Sequence, residues 1–272
     1  MIRGLALLAV LVGAACTEVS TDPNAVVAVR FDGSAYPSIV ALDSLRDSLG
    51  KLQPLTATGL NYKGDAVLGA KFAFSASDTN LRVFDDGNVY AIRRKTDGAP
   101  AKVYATAASL QSVPDSLFVV QRADSIKAVK TVDTALVFTP GEGATTAPGS
   151  PTFQVFGDTA AGKPKATVQA WLVSLQLRYK GTTIATSDTS FAFTFETVGS
   201  GTNTIRAQKI VDTTDASGIA GHRVFVRNLS AAEDSLYLIA TIRQRKTNTL
   251  PVRDSTLVII RPAPPTSSLR RK

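Results

Sequence analysis

The chain has 272 residues, of which 44% are hydrophobic and 19% are charged, so it holds enough apolar side chains for ordinary cores and too little charge for a disordered chain. It has one Cys and one His, which excludes a disulfide within the chain and a zinc site built from Cys and His. Taken alone, the formal net charge of +8 favours an anionic partner such as nucleic acid.

The N-terminal segment has the pattern of an export signal. Arg3 gives it a basic start, and the almost wholly apolar residues 4–15 that follow are too few to span a bilayer core of ~30 Å. The segment ends in Leu-Val-Gly-Ala-Ala before Cys16, and this resembles the lipobox of bacterial lipoproteins, with Gly13 where that pattern usually has Leu. The resemblance implies that residues 1–15 are removed and that Cys16 is lipidated. The alternative is an ordinary signal peptide cleaved at Ala15.

A lipid on Cys16 would hold the chain to a membrane by acyl chains and without a spanning helix. The next residue is Thr17, and the absence of the Asp that retains enterobacterial lipoproteins at the inner membrane favours the outer membrane. Residues 16–24 are therefore predicted to be the lipidated Cys and a short polar tether. The predicted location is the cell envelope, after export.

From residue 25 onward, apolar and polar residues alternate in short runs that are bounded by Gly, Asp, Asn and Pro. Val173, Leu175 and Leu177, for example, alternate with Ser, Gln and Arg, as in a strand with one buried face. Strand-length runs with turn residues between them favour β-sandwiches or small barrels. The pattern predicts two β-domains, at residues 25–130 and 131–261, with the junction near Ala128–Thr131. Residues 262–272 form a Pro-rich basic tail that is predicted to be extended or disordered.

The first domain carries four segments in a distinctive order. They read Leu-Thr-Ala-Thr at 55–58, Lys-Phe-Ala-Phe-Ser-Ala-Ser-Asp at 71–78, Val-Phe-Asp-Asp-Gly-Asn-Val-Tyr-Ala at 83–91, and Val-Tyr-Ala-Thr at 103–106. This series resembles the group 2 bacterial Ig-like domains known from intimin-like surface proteins. Within it, Gly87 is predicted to take a positive φ in a tight hairpin turn. Phe72 and Phe74 are expected on one strand face, with at least one of them in the core.

The second domain is similar, more loosely, to the group 1 or invasin-type bacterial Ig-like domains. The similarity lies in Thr-Asp-Ala-Ser-Gly-Ile-Ala-Gly-His-Arg-Val-Phe-Val at 214–226, and in the run from Phe153 to Pro164. The segment between them is longer than usual, which leaves the strand order open, and a generic Ig-like or fibronectin-like sandwich is the alternative. The two resemblances together imply an all-β chain of two tandem immunoglobulin-like β-sandwiches after the signal peptide.

No catalytic residue is predicted. His222 follows a turn at the start of a predicted strand, no Gly-x-Ser-x-Gly elbow accompanies it, and it is expected at the surface or on an edge strand. Ser48 and Lys51 match the Ser-x-x-Lys pattern of penicillin-binding enzymes, but the Ser-Asp-Asn and Lys-Thr-Gly elements of those enzymes are absent from the sequence. The Gly-rich stretches lack the Lys-Ser/Thr of a phosphate-binding loop, so no cofactor is predicted either.

No metal site is predicted, although two acidic segments are candidates for calcium. The segments at 85–88 and 212–215 each offer two or three obvious oxygen ligands, whereas Ca²⁺ takes about 6–8. Asp-Ser or Asp-Thr pairs also begin at Asp43, Asp115 and Asp124, ahead of apolar residues. Because Asp side chains accept hydrogen bonds from nearby backbone N–H groups, turn formation is the predicted role of all these carboxylates.

The positive charge does not favour a nucleic-acid-binding fold once it is assigned along the chain. Half of the net +8 comes from the tail, in Arg261, Arg270, Arg271 and Lys272, so the two domains are close to neutral. Arg243 and Arg245 alternate at the end of a strand and are expected in solvated positions. Neither interleaved exposed aromatic residues nor a nucleic-acid-binding module accompanies them.

These observations predict a non-catalytic envelope lipoprotein with Ig-like domains, acting in adhesion or as a structural spacer. Its expected partners are the membrane, through the lipid on Cys16, and a protein or glycan at loops or edge strands. The alternative is a carbohydrate-binding or accessory subunit of a larger envelope complex, which exposed coplanar aromatic rings would favour. Trp171 and Tyr179 are the available pair, and both are expected in the core. The oligomeric state is left open.

Overall fold

The computed structural model describes residues 20–34, 36–94, 97–129, 151–157, 165–179, 209–221 and 236–245, together with the strands at 145–146, 182–183, 193–196, 223–226 and 253–260. All the regular secondary structure in this described part of the chain is β-strand, which confirms the all-β prediction. The described residues include no helix that could span a membrane.

The strands fall into two units along the chain. The strands of the first unit are β1 (Ala28–Gly33), β2 (Ser38–Val40), β3 (Thr56–Leu60), β4 (Ala73–Ala76), β5 (Leu81–Val83), β6 (Val89–Ala91), β7 (Ala101–Ala107), β8 (Leu110–Gln111) and β9 (Asp115–Val120). The strands of the second unit are β10 (Ala123–Ala128), β11 (Thr145–Thr146), β12 (Thr152–Gly157), β13 (Leu172–Tyr179), β14 (Thr182–Thr183), β15 (Phe193–Glu196), β16 (Lys209–Thr213), β17 (Ile219–Gly221), β18 (Arg223–Val226), β19 (Leu236–Arg243) and β20 (Arg253–Ile260).

The first unit has the strand order of an immunoglobulin-like sandwich. Its main sheet runs β2-β9-β7-β4, with β2 parallel to β9 and β8 added beside β7. The central β4-β7-β9 order is that of strands C, F and G in the immunoglobulin fold. The antiparallel pair β1–β3 and the hairpin β5–β6 supply the remaining strands. Side chains from the main sheet and from the hairpin share one core, which includes Leu81, Val89, Val103 and Leu117.

The second unit repeats this arrangement. Strands β13, β19 and β20 lie in the order β13-β19-β20, again the C-F-G order, with β14 and β16 pairing along the other edge of β13. A second sheet runs β10-β12-β17, and a third runs β11-β18-β15. These pairings establish the strand order of the second unit, which the sequence left open. The immunoglobulin-like prediction is confirmed by these two repeated strand orders.

The second unit begins earlier in the chain than the sequence predicts. Strand β10 lies before the predicted junction at Ala128–Thr131, yet it pairs with β12 of the second unit. Its inward side chains, Ala123, Ile126 and Ala128, belong to the second core. Burial of these side chains draws the strand to the second unit, so we place the change between units at residues 121–122.

The core of the second unit extends into the first. Val40 of β2 and Val120 of β9 join the buried cluster that contains Phe153, Trp171 and Leu175, and Phe118 packs against it. The two units therefore share apolar burial where they meet. Burial of apolar surface is the main stabilising term in packing, so this shared cluster opposes their separation.

The Asp86-Gly87-Asn88 turn has the predicted conformation. Gly87 has a φ of +80°, its N–H donates to the Phe84 carbonyl at 2.9 Å, and Asp86 accepts the Asn88 N–H at 3.0 Å. A Cβ at Gly87 would lie 2.7 Å from the Leu55 carbonyl oxygen. Glycine is therefore required here both by the backbone angle and by the close approach of another strand.

Replacing Gly87 with Ala tests whether the positive φ and the close contact with Leu55 both require glycine. Gly64→Ala is the matched control. Gly64 also has a positive φ, +84°, but a Cβ there would have nothing within 4 Å of it. We expect Gly64→Ala to lower the free energy of unfolding by about 1 kcal/mol and Gly87→Ala to lower it by about 2–3 kcal/mol. Urea unfolding measures both, and equal losses would show that the contact with Leu55 has no cost.

Candidate functional site at the junction of the two units

Buried polar side chains concentrate where the two units meet. Ser38, Thr214, Gln244 and Arg245 are all buried, with Ser38 fully buried and Arg245 only 4% exposed. Buried polar groups are stable only when they are hydrogen bonded, so their partners show what the junction is built to do.

The Arg245 side chain spans the junction. It follows the last residue of β19 by two positions, and its guanidinium lies 3.9 Å from the centre of the Trp171 ring and 5.1 Å from that of Tyr36. Nη1 donates to the Ser38 carbonyl at 2.8 Å, and Nη2 donates to Ser38 Oγ at 2.9 Å. The planar guanidinium thus stacks on aromatic rings and binds one residue of β2 through two donors, which a lysine cannot do.

Ser38 connects the first unit to two separate parts of the second. Its hydroxyl donates to the Ala170 carbonyl at 2.6 Å while accepting the hydrogen bond from Arg245. Ala170 and Arg245 both adopt positive φ values, +53° and +52°, which residues other than Gly rarely take. Backbone strain of this kind persists only where surrounding contacts hold it, and here those contacts converge on Ser38.

Thr214 holds the loop that carries Trp171 in place. Its hydroxyl accepts the Trp171 N–H at 2.9 Å and donates to the Val168 carbonyl at 2.7 Å. Its backbone N–H donates to the Trp171 carbonyl at 3.0 Å, and its carbonyl accepts the Ala170 N–H at 2.8 Å. The position of the ring beneath Arg245 is therefore fixed by contacts of its own backbone.

Arg122, in the connection between β9 and β10, makes a second link across the junction. Its Nη1 donates to the carbonyls of Gln244 at 2.9 Å and Arg245 at 2.7 Å, and its Nη2 binds Asp43 Oδ2 at 2.6 Å. The other oxygen of Asp43 accepts a hydrogen bond from Arg46 at 2.9 Å. One carboxylate of the first unit thus orients the arginine that anchors the end of β19.

The two ionisable ends of this network have shifted pKa values. Burial alone would raise the pKa of Asp43, but hydrogen bonds from Arg122 and Arg46 outweigh burial and hold the pKa below 3.8. The stabilisation from this carboxylate is therefore complete above its unfolded pKa and is lost as the pH falls through the lower folded value. Burial lowers the pKa of Arg245 to about 9, so its guanidinium remains protonated at neutral pH.

A further set of hydrogen bonds links the two units. Gln169 donates to the Gly98 carbonyl at 2.8 Å, and Gln121 donates to the Ala166 carbonyl at 2.8 Å. Arg94 donates to the side chain of Gln121 at 3.2 Å. These hydrogen bonds add to those of Arg245 and Arg122 and to the shared apolar core, and together they hold the two units against each other.

The structure corrects one expectation and supports two others. The prediction that Arg245 is solvated is wrong, because β19 ends at Arg243 and the left-handed backbone at Arg245 breaks the alternation. Trp171 lies in the core as predicted, at 1% exposure. Phe74 packs against the first core, with its ring edge-on to Phe31 at 6.5 Å and Phe72 beside it at the same centroid distance.

Asp86 and Asp215 lie in turns as predicted, whereas Asp212 lies in strand β16, so the predicted turn role is wrong for Asp212. Asp86 and Asp215 accept backbone N–H groups two residues ahead, and Asp212 accepts the Gly221 N–H at 2.8 Å. Among the described residues, no three His, Cys, Asp or Glu side chains come together in a way that could hold a metal ion.

The residues of the weak Ser-x-x-Lys match are also part of a turn. The Ser48 N–H donates to the Tyr36 hydroxyl at 2.6 Å, and the Lys51 N–H donates to Asp47 at 2.9 Å. Cys16, His222 and the side chain of Tyr179 lie outside the described residues, so their predicted roles remain predictions.

Comparison with known proteins gives distant similarity to several solved structures. The adhesin InvE of Yersinia pseudotuberculosis is 13% identical, with a TM-score of 0.29, over 89% of this chain and 61% of that one. Mouse cadherin-23 repeats EC22-24 are 13% identical, with a TM-score of 0.24, over 87% of this chain and 64% of that one. The native form of E. coli alpha-2-macroglobulin is 12% identical, with a TM-score of 0.30, over 87% of this chain and 14% of that one.

This chain therefore corresponds to less than two thirds of each of these structures. No family model and no curated protein matches it. The immunoglobulin-like assignment consequently depends on the strand order of the two units.

Conservative substitutions at the junction test its contribution to stability. We expect Arg245→Lys, which keeps the charge but loses the paired donors and the stacked plane, to lower the free energy of unfolding by about 2–3 kcal/mol. Ser38→Ala should cost about 1–3 kcal/mol, because it leaves the Ala170 carbonyl without its donor. Arg243→Lys, two residues away on a partly exposed position, should change stability by less than about 0.5 kcal/mol.

Urea unfolding followed by Trp171 fluorescence measures all three variants, since the single Trp lies directly beneath Arg245. A loss in Arg245→Lys no greater than that in Arg243→Lys would contradict the importance of the paired donors.

Proposed function

We propose that this protein is an exported lipoprotein of the cell envelope, in which two immunoglobulin-like sandwiches form a rigid, non-catalytic module for adhesion or spacing. The proposal rests on the junction, where the two units share an apolar core and the buried Arg245 binds Ser38. Two sandwiches joined by a flexible linker would need no buried arginine, no shared core and no paired strained residues. A fixed orientation is what a module needs when it must present loops at a set distance and angle from an anchor.

The position of the anchor agrees with this role. The signal-like segment and Cys16 precede β1 by a short polar stretch, so a lipid on Cys16 would place the first unit close to the membrane. The second unit would then face away from the membrane and carry the interacting surface. Arg245, Ser38, Thr214 and Arg122 are engaged with one another or with backbone groups, as in a structural joint, while Gln244 Oε1 is buried without a hydrogen-bond partner among the described residues.

The lipid attachment has a direct test. The protein is expressed in a Gram-negative bacterium with its own N-terminal segment, and the mature N-terminal peptide is weighed after proteolysis. We expect cleavage before Cys16 and the added mass of a diacylglyceryl group, with the protein in the membrane fraction. Cys16→Ser is the matched control and should abolish both the modification and the membrane association.

A mature peptide that starts at Cys16 with an unmodified thiol would contradict the proposed anchor. So would an equal share of wild-type and Cys16→Ser protein in the membrane fraction. Antibody labelling of intact cells then separates a surface module, which is labelled, from a spacer within the periplasm, which is not.

A further inference from the structure

A cleft of about 310 Å³ opens beside the junction, over the face of the β16-β13-β19 sheet. Arg245 and Tyr36 form its wall at the junction end. Its floor is made of side chains that alternate outward from the three strands, among them Gln176, Lys209, Thr241 and Arg243. The cleft volume suits a ligand of small-molecule size or a short stretch of a polymer.

All the charged side chains described in the lining of the cleft are positive. Lys209, Arg243 and Arg245 contribute three cations, and none of the described lining residues is Asp or Glu. The nearby carboxylates have other partners, since Asp43 binds Arg122 and Arg46, and Asp212 accepts the Gly221 N–H. Cations gathered in a concave site repel one another, and an anion bound there relieves that repulsion while gaining charge-assisted hydrogen bonds.

The floor of the cleft favours a saccharide over a peptide. Ser174 and Gln176 of β13 pair with β16 on one side and with β19 on the other, so the backbone groups in the middle of the floor are already paired and a ligand lying over this face meets side chains. Recognition must therefore use side chains. Beside the cations and the apolar side chains of Leu172 and Val211, the described lining includes the hydroxyl groups of Ser174 and Thr241, which can exchange hydrogen bonds with the hydroxyls of a sugar.

We propose that this cleft binds a carboxylate-bearing saccharide, with Lys209 and Arg243 contacting the carboxylate and the hydroxyls of Ser174 and Thr241 contacting the ring hydroxyls. This rests on the proposed role as an envelope surface module, because it names the class of ligand which that module takes. Arg245 donates two hydrogen bonds to Ser38, and its guanidinium adds positive charge at the end wall of the cleft.

The test measures binding to the full-length mature protein in detergent by titration calorimetry. The acidic probes are trigalacturonate, trimannuronate and sialyllactose, the neutral probe is galactotriose, and the acidic peptide probe is hexaglutamate. The test variant is Lys209→Gln with Arg243→Gln. The matched control is Lys102→Gln with Lys127→Gln, which removes the same net charge from exposed positions on β7 and β10.

We expect at least one acidic saccharide to bind about tenfold or more tightly than galactotriose, and binding to weaken with added salt. The test variant should raise the Kd of that saccharide about tenfold or more, while the control raises it by no more than about twofold. Melting temperatures of both variants are measured first, and both should match the wild type, because all four side chains lie at the surface or near it.

Three results would each overturn the proposal: none of the acidic saccharides binds, the control weakens binding as much as the test variant, or hexaglutamate binds more tightly than every saccharide. The last would assign the cleft to an acidic peptide. None of these results changes the mass of the Cys16 peptide or the membrane fraction, so failure here is distinguishable from failure of the proposed lipoprotein role.

Discussion

The pairing of Arg245 with Ser38 is the interaction on which the arrangement of the two units depends. A guanidinium that is almost fully buried must be compensated by hydrogen bonds and by contact with polarisable rings. Here the hydrogen bonds come from the first unit and the closest ring, Trp171, comes from the second. Separating the units would leave both the charge and the Ser38 carbonyl without these partners. The junction is therefore stabilised by the contacts that form when the units meet. It is also stabilised because opening it would leave a charge and a carbonyl group without partners.

The apolar and polar parts of the junction support each other. Val40 and Val120 extend the second core into the first unit, and this excludes water from the space next to Ser38. Where water is excluded, each hydrogen bond across the junction is stronger and an unmade one is more costly. Arg122 adds a contact from the connecting segment itself, which binds Asp43 on one side and the end of β19 on the other. A short connection with its own anchor leaves little freedom for rotation between the units.

Local features of the fold could be predicted from the sequence. Alternation located β13, and the Asp-Gly-Asn run located the turn at Gly87, because both depend on neighbouring residues only. The junction could not be predicted in this way. Residues 123–128 fall inside the predicted first domain, because the local sequence does not reveal which sheet a strand joins. Arg245 looked solvated because it continues the alternation of Arg243, and the sequence has no signal for the left-handed backbone that turns its side chain inward. Its partner Ser38 lies far away in the chain, and such pairings are set by the tertiary fold.

The most direct test of a fixed junction is a distance distribution between spin labels on the two units, measured by double electron–electron resonance. The chain has a single Cys, so Cys16→Ser gives a clean background for labels at Leu68→Cys in the first unit and Ser217→Cys in the second. Leu68→Cys with Val113→Cys, both in the first unit and both highly exposed, gives the reference width for labels on one rigid body. If the junction is fixed, we expect a single distance between the units, with a distribution as narrow as the reference. A broad or multiple distribution between the units, beside a narrow reference, would contradict it.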